Sequence, residues 1–128
     1  MDLLLDTHVF IWYFQGSDKI GSNILELLED PGNTLYLSIA SLWEIAIKTG
    51  LGKLILDVSF GELQSILERL SIGILSITFV DTEHYQTLPL YHRDPFDRIL
   101  VSQATNHNLR LVSADTAFDA YPIRRVWE

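Results

Sequence analysis

The sequence predicts an α/β fold, a single domain whose central parallel sheet of about four to five strands is flanked by helices. Three observations carry this. Short runs that are apolar at every position recur along the 128 residues, stretches with helical periodicity separate them, and 48% of the residues are hydrophobic, enough for one sizeable core. A strand apolar at every position, rather than at every second one, belongs to a sheet covered on both faces, and helices between strands permit parallel crossovers. One domain over residues 1–128 is expected.

Taken in order, "LLL" at 3–5 reads as the first strand and "HVFIWYF" at 8–14 as a helix that is mostly core, its aromatic density suiting a protein interface wherever part of it is exposed. "ILELLED" at 24–30 is a second helix, and Pro31, Gly32 and Asn33 mark the turn after it. "LYLSIA" at 35–40 is the next strand, running into the helix "IASLWEIAIKTG" at 39–50, with Gly50 suited to its C-terminus. "FGELQSILERL" at 60–70 and "TEHYQTL" at 82–88 are helical, with "ILSI" at 74–77 a strand between them. "PFDRILVSQATNHN" at 95–108 is the last long helix, ending at Asn108; "LRLVS" at 109–113 is a strand, and "IRRVW" at 123–127 a weaker fifth.

Composition removes several classes of function. With no cysteine there is no disulfide, no thiolate zinc site and no thiol nucleophile. The opening "MDLLLDTHVF" has no basic region and carries Asp2 and Asp6 where a secretion signal would be apolar. No apolar run approaches the roughly 20 residues of a membrane span. A soluble, cytoplasmic protein with no membrane association is expected. Seventeen acids against nine Lys and Arg give a net charge of -8, which disfavours sequence-independent binding to nucleic acid, since that depends on cationic contacts to phosphate. Bound divalent ions would invert the sign locally.

The positions of the acids are informative. In parallel sheets ligands bind beyond the carboxyl ends of the strands. Asp6 follows "LLL" and Asp115 follows "LRLVS", so both should emerge at that edge. Each could also be the N-cap of a following helix. Asp97 heads the stripe Asp97, Leu100, Val101, Ala104, where a hydrophobe is expected, while Asp94 and Pro95 match an N-cap and first helical position. Glu44 stands in a helix apolar nearly all round and should be partly buried; a capping box with Ser41 or an ion pair with Lys48 would also account for it. His8 and His92 read first as core or helix-start histidines. Arg93 and Arg98 could hold a phosphate or pair with Asp94.

The blocks "LLLDTHVFIW", "SLWEIAIK", "DPFDRILVSQA" and "LVSADTAF" resemble, in order and spacing, the PIN-domain ribonucleases, and among them the VapC-like toxins of bacterial toxin-antitoxin pairs. The resemblance spans almost the whole chain. It implies that Asp6, Glu44, Asp97 and Asp115 are the catalytic, metal-binding acids, with Ser113 beside the last; Asp94 and Arg98, by their place beside these acids, are possible supporting residues. It also implies Mg²⁺ or Mn²⁺ as cofactor, RNA as substrate, an antitoxin protein as partner and a homodimer. Chemistry gives such a cluster its own reason: water attack on a phosphodiester needs an activated nucleophile, neutralised phosphoryl charge and a stabilised leaving oxygen, all of which a divalent ion provides. Carboxylates suit Mg²⁺ or Mn²⁺ better than zinc. Two other classes remain open here. A haloacid-dehalogenase-like phosphatase also opens with an Asp at a strand end, although His8 stands where its second acid belongs. A non-catalytic α/β protein-binding module would use the acids only as helix caps.

Overall fold

Leu3, Leu4 and Leu5 are fully buried because they form the middle of a five-stranded sheet. The computed structural model, which describes residues 1–128, pairs β1 (Asp2–Leu5) in parallel with β2 (Thr34–Ser38) on one side and β4 (Arg110–Val112) on the other. β3 (Ile72–Leu75) lies outside β2 and β5 (Arg125–Val126) outside β4, both parallel, giving the order β3-β2-β1-β4-β5. The expected sheet is therefore present with all five strands, the weak fifth included.

Alternation along β1 divides the core into two layers. Leu3 and Leu5 join Leu35, Leu37 and the apolar faces of α1 (Thr7–Phe14), α2 (Ser22–Glu29) and α4 (Leu63–Arg69). Leu4 faces the other way, against Leu100, Val101 and Ala104 of α6 (Pro95–Asn106), with Leu111, Phe118 and Tyr121 completing that layer. α5 (Phe79–Thr87) packs on α6, and α3 (Ile39–Gly50) touches both α1 and α6. The chain winds from β1 through β2 to β3 on one side and then crosses to β4 and β5 on the other. The reversal falls between β1 and β4, where such sheets open a crevice at their carboxyl ends.

Element ends differ from the sequence reading wherever a single side chain decides them. Ser38 stops β2 by accepting the Ala40 N–H at 3.1 Å, so Ile39 and Ala40 are helical and not strand. α5 begins at Phe79, three residues early, because Thr78 and Asp81 bond each other's backbone N–H in a capping box. β3 lies two residues before 74–77: Leu35 pairs with Ile72, which is buried, while Ile77 is left exposed outside the strand. Gly50 remains inside α3; the left-handed residue after that helix is Gly52, at φ 71. Asn108, at φ 54, does the same for α6, as expected.

Candidate active site

Two strand ends and two helix starts meet at the switch between β1 and β4. Asp6 leaves β1 and takes the N-cap position of α1, yet its side chain makes no capping bond. Its Oδ2 instead accepts from Ser113 Oγ at 2.7 Å, and the same hydroxyl accepts the Asp115 N–H at 3.0 Å. Ser113 is fully buried just beyond β4, so one hydroxyl joins the two strand ends. Asp115 is a cap: it accepts the Ala117 N–H at 2.9 Å and starts the short 3₁₀ helix Thr116–Ala120.

Asp94 is the N-cap of α6, accepting from the backbone N–H groups of Phe96 at 2.8 Å and Asp97 at 3.2 Å, with Pro95 at the first helical position. Capping thus consumes Asp94 and leaves the Asp97 carboxylate free of the helix. Its Oδ2 lies 3.1 Å from His92 Nε2, and that nitrogen lies 3.6 Å from Asp115 Oδ2.

Glu44 is buried on α3, and its Oε2 meets Lys48 Nζ at 2.8 Å. Thr7 Oγ1 lies 2.8 Å from Glu44 Oε1 and 2.8 Å from Ser41 Oγ. A carboxylate can only accept, so Thr7 gives its one proton to Glu44 and Ser41 donates to Thr7. The expected alternative of a Ser41 to Glu44 capping box is replaced by this bridge, because Ser38 is the N-cap; the ion pair with Lys48 is present.

The acids also act on one another through their charges. The Asp97 carboxyl is pushed up to about 8, first by burial and then by the charges of Asp6, Asp94, Glu44 and Asp115. Asp6 is also raised, by burial above all, against the lowering effect of the Ser113 hydroxyl. The tightest group of metal-donor atoms is that of His92, Asp97 and Asp115, all within 4.8 Å of one another. Asp6 and Glu44 stand outside that trio, anchored through Ser113 and Thr7. Beside them opens a cavity of about 400 Å³ lined by Asp6, His8, Trp12, Lys19, Ala114 and Asp115. A larger concavity, about 820 Å³ along α2, shares no residue with it. Accumulated like charge on oxygen donors fits a hard divalent cation, with Asp97 and Asp115 placed to hold it and Asp6 and Glu44 adjacent.

Other expectations need correcting. Arg98 neither faces a phosphate site nor pairs with Asp94; it is buried, with its guanidinium on the carbonyls of Leu88, Pro89 and His92. Arg93 is exposed and forms no ion pair with Asp94. His8, the second residue of α1, is exposed with its ring 5.9 Å from that of Trp12, so of the two places expected for it, core or helix start, it takes the helix start. His92 and Thr7 carry more of the site than their sequence context suggested. For Thr7 a signal existed, a hydroxyl directly after the strand-end acid; for His92 the position is set by a loop whose path only tertiary contacts define.

Comparison with known proteins agrees with this architecture. The PIN domain family model matches residues 3–123. The fold is similar to a structure of VapBC2 from Rickettsia felis bound to a DNA fragment from their promoter, at TM-score 0.72 and 22% identity, covering 98% of each chain. It is similar to VapBC-1 from nontypeable Haemophilus influenzae, at 0.71 and 19%, over 98% of this chain and 97% of that one. A DNA-bound VapBC from Salmonella typhimurium gives 0.70 and 17%, again over 98% and 97%. A search of curated proteins gave no match. With the family model spanning nearly its whole length, the chain belongs to the PIN-domain family.

Proposed function

We propose that the chain is a metal-dependent endoribonuclease, hydrolysing phosphodiester bonds of RNA with Mg²⁺ or Mn²⁺, and that it is the toxin of a toxin-antitoxin pair acting in the cytoplasm. The observation that carries the reading is the approach of Asp97 and Asp115 beyond the strand ends, where their oxygens and His92 lie within 4.8 Å of one another, with Asp6 tied to the same strand end through Ser113. Family membership supports nuclease chemistry and displaces the haloacid-dehalogenase alternative. Likeness of fold to VapBC structures supports the toxin assignment and an antitoxin partner.

When bound, a divalent ion supplies water activation and neutralises charge on the phosphoryl and leaving oxygens. Asp97 and Asp115 would hold it, with Asp6, fixed by Ser113, completing the set. Glu44, paired with Lys48 and held in direction by Thr7, would orient the attacking water. Lys19 on the cavity wall is the cation placed to meet a substrate phosphate, since Lys48 is paired with Glu44.

The binding-module alternative treats every acid as a cap. Asp94 and Asp115 do cap, but Asp6 and Asp97 make no cap bond, and a carboxylate raised by like charges, as Asp97 is, opposes folding until a cation joins it. A homodimer is part of the proposal. Trp43 is 62% exposed with Ile39 and Ile47 on the same face of α3, and it meets Phe96 edge-on at 5.4 Å. An exposed aromatic patch of that kind is commonly covered by protein.

The first test is RNA cleavage by the purified chain with Mg²⁺, Mn²⁺ or excess chelator, alongside Asp6→Asn and Asp97→Asn checked for folding by circular dichroism. Cleavage should require metal and disappear in both variants. Undiminished cleavage by either folded variant, or by wild type in chelator, refutes the reading.

A further inference from the structure

His92 is half-hidden at the mouth of the acid crevice, and hydrogen bonds with two buried side chains hold the loop that carries it. Its backbone N–H donates to Tyr121 Oη at 3.0 Å, and Tyr121 Oη donates to the Pro89 carbonyl at 2.8 Å. Arg98 binds the carbonyls on either side, those of Leu88 and Pro89 before it and His92 itself, at 3.0 to 3.3 Å. The imidazole packs on Phe118, ring centres 5.7 Å apart. A loop with no regular structure is thereby fixed by two buried side chains, Arg98 and Tyr121, from α6 and from the segment before β5.

The ring's two nitrogens have different neighbours. The backbone N–H of Asp94 donates to Nδ1 at 3.3 Å, so Nδ1 carries no proton and the N–H of the ring is at Nε2. That Nε2–H points at Asp97 Oδ2, 3.1 Å away, with Asp115 Oδ2 at 3.6 Å. An N–H directed at one oxygen fixes the rotation of the Asp97 carboxylate and leaves its other lone pairs facing the crevice. Direct ligation of an ion through Nε2 would move the proton to Nδ1, where it would face the Asp94 N–H, donor against donor.

We propose that His92 is a positioning residue of this site: its Nε2–H orients Asp97, and through the shared crevice Asp115, for the divalent ion, while Arg98 and Tyr121 hold His92 in place. The proposal rests on the metal-site reading above. Partners that orient metal-binding carboxylates typically contribute 10- to 100-fold to affinity, and His92 should do so here, by roughly that factor.

The test is Mn²⁺ binding to the full chain by calorimetry, for wild type, His92→Ala and His92→Gln, with electron spin echo spectroscopy of the bound Mn²⁺ and thermal melts in chelator. His92→Ala should bind Mn²⁺ roughly 10- to 100-fold more weakly. His92→Gln, whose amide N–H reaches where Nε2–H stood, should recover most of that loss. Nitrogen coupling to Mn²⁺ should be absent in wild type. A His92→Ala protein that melts lower in chelator yet keeps the wild-type Mn²⁺ dissociation constant assigns the histidine to packing and overturns the proposal. Failure of Gln to rescue does the same, as does strong nitrogen coupling that vanishes in His92→Ala, which would make His92 a ligand. Those outcomes leave the metal site intact. A folded wild type that binds no Mn²⁺ overturns both the site and this role for His92.

Discussion

Asp97 holds one proton more tightly folded than unfolded, and the sign of the consequence follows. Its carboxyl rises from 3.8 to about 8, so in metal-free protein it costs nothing below the unfolded value and destabilises progressively as pH climbs from 3.8 through about 8. Stability in chelator should therefore fall as pH rises across that window. Asp97→Asn removes the penalty: in chelator it should melt no lower than wild type near the acid end and clearly higher above about pH 8. Metal should reverse the order, because an ion bound only by the folded state adds about 2.7 kcal/mol at 100 times its dissociation constant, a gain the variant should largely lose. Melts in chelator and in millimolar Mn²⁺, repeated across pH, check this. If Asp97→Asn is less stable in chelator at every pH and Mn²⁺ shifts both proteins equally, Asp97 is only structural. The acid itself was legible, since it occupies an apolar stripe position of a periodic helix. The meaning of His92 was not, because its hydrogen-bond partner Tyr121 lies 29 residues away in sequence.

The start of α6 separates the two roles that its acids share. Asp94 accepts two backbone N–H groups, so Asp94→Ala should cost about 1 kcal/mol in urea unfolding, whereas Asp94→Asn keeps the acceptor, removes a charge beside Asp97 and should match or exceed wild type in chelator. Equal losses for Ala and Asn would deny the cap. The loop before α6 depends on Arg98, whose planar fork an ammonium cannot reproduce. Arg98→Lys should cost more than about 2 kcal/mol by leaving buried carbonyls poorly bonded, and amide exchange across residues 88–93 should quicken in step. Exchange rates unchanged there would show that the loop holds itself. The interiors of strands and helices were readable from apolar pattern. Their ends were not, since Thr78, Ser38 and Ser113 act through single hydrogen bonds that periodicity does not encode.

At the scale of the molecule, the fold class was legible because a sheet buried on both faces writes itself as unbroken apolar runs, and the order of those runs with helices between them left few topologies. The surface was less so. A net charge of -8 with nine Lys and Arg implies few phosphate contacts, so RNA affinity should show a shallow salt dependence, near -0.7 in log-log slope per contact, and should collapse in chelator. A steep slope surviving in chelator would locate binding on a basic face instead of at the metal. The same acidity shapes the proposed antitoxin: an Arg or Lys of that protein reaching the crevice can stand where the cation stands, so its replacement by Ala should weaken inhibition, and inhibition unaffected by any such change would exclude the mechanism. The pairing of the first strand with the fourth has a consequence in time. Leu3 lies against Arg110, and Asp6 meets Ser113 across 107 residues, so the crevice has no second wall until the last fifth of the chain exists. On the ribosome a growing copy therefore carries Asp6 and Glu44 well before Ser113 and Asp115, the residues that tie the two strand ends together. In the proposed nuclease the crevice is thus completed only after β4 has been made.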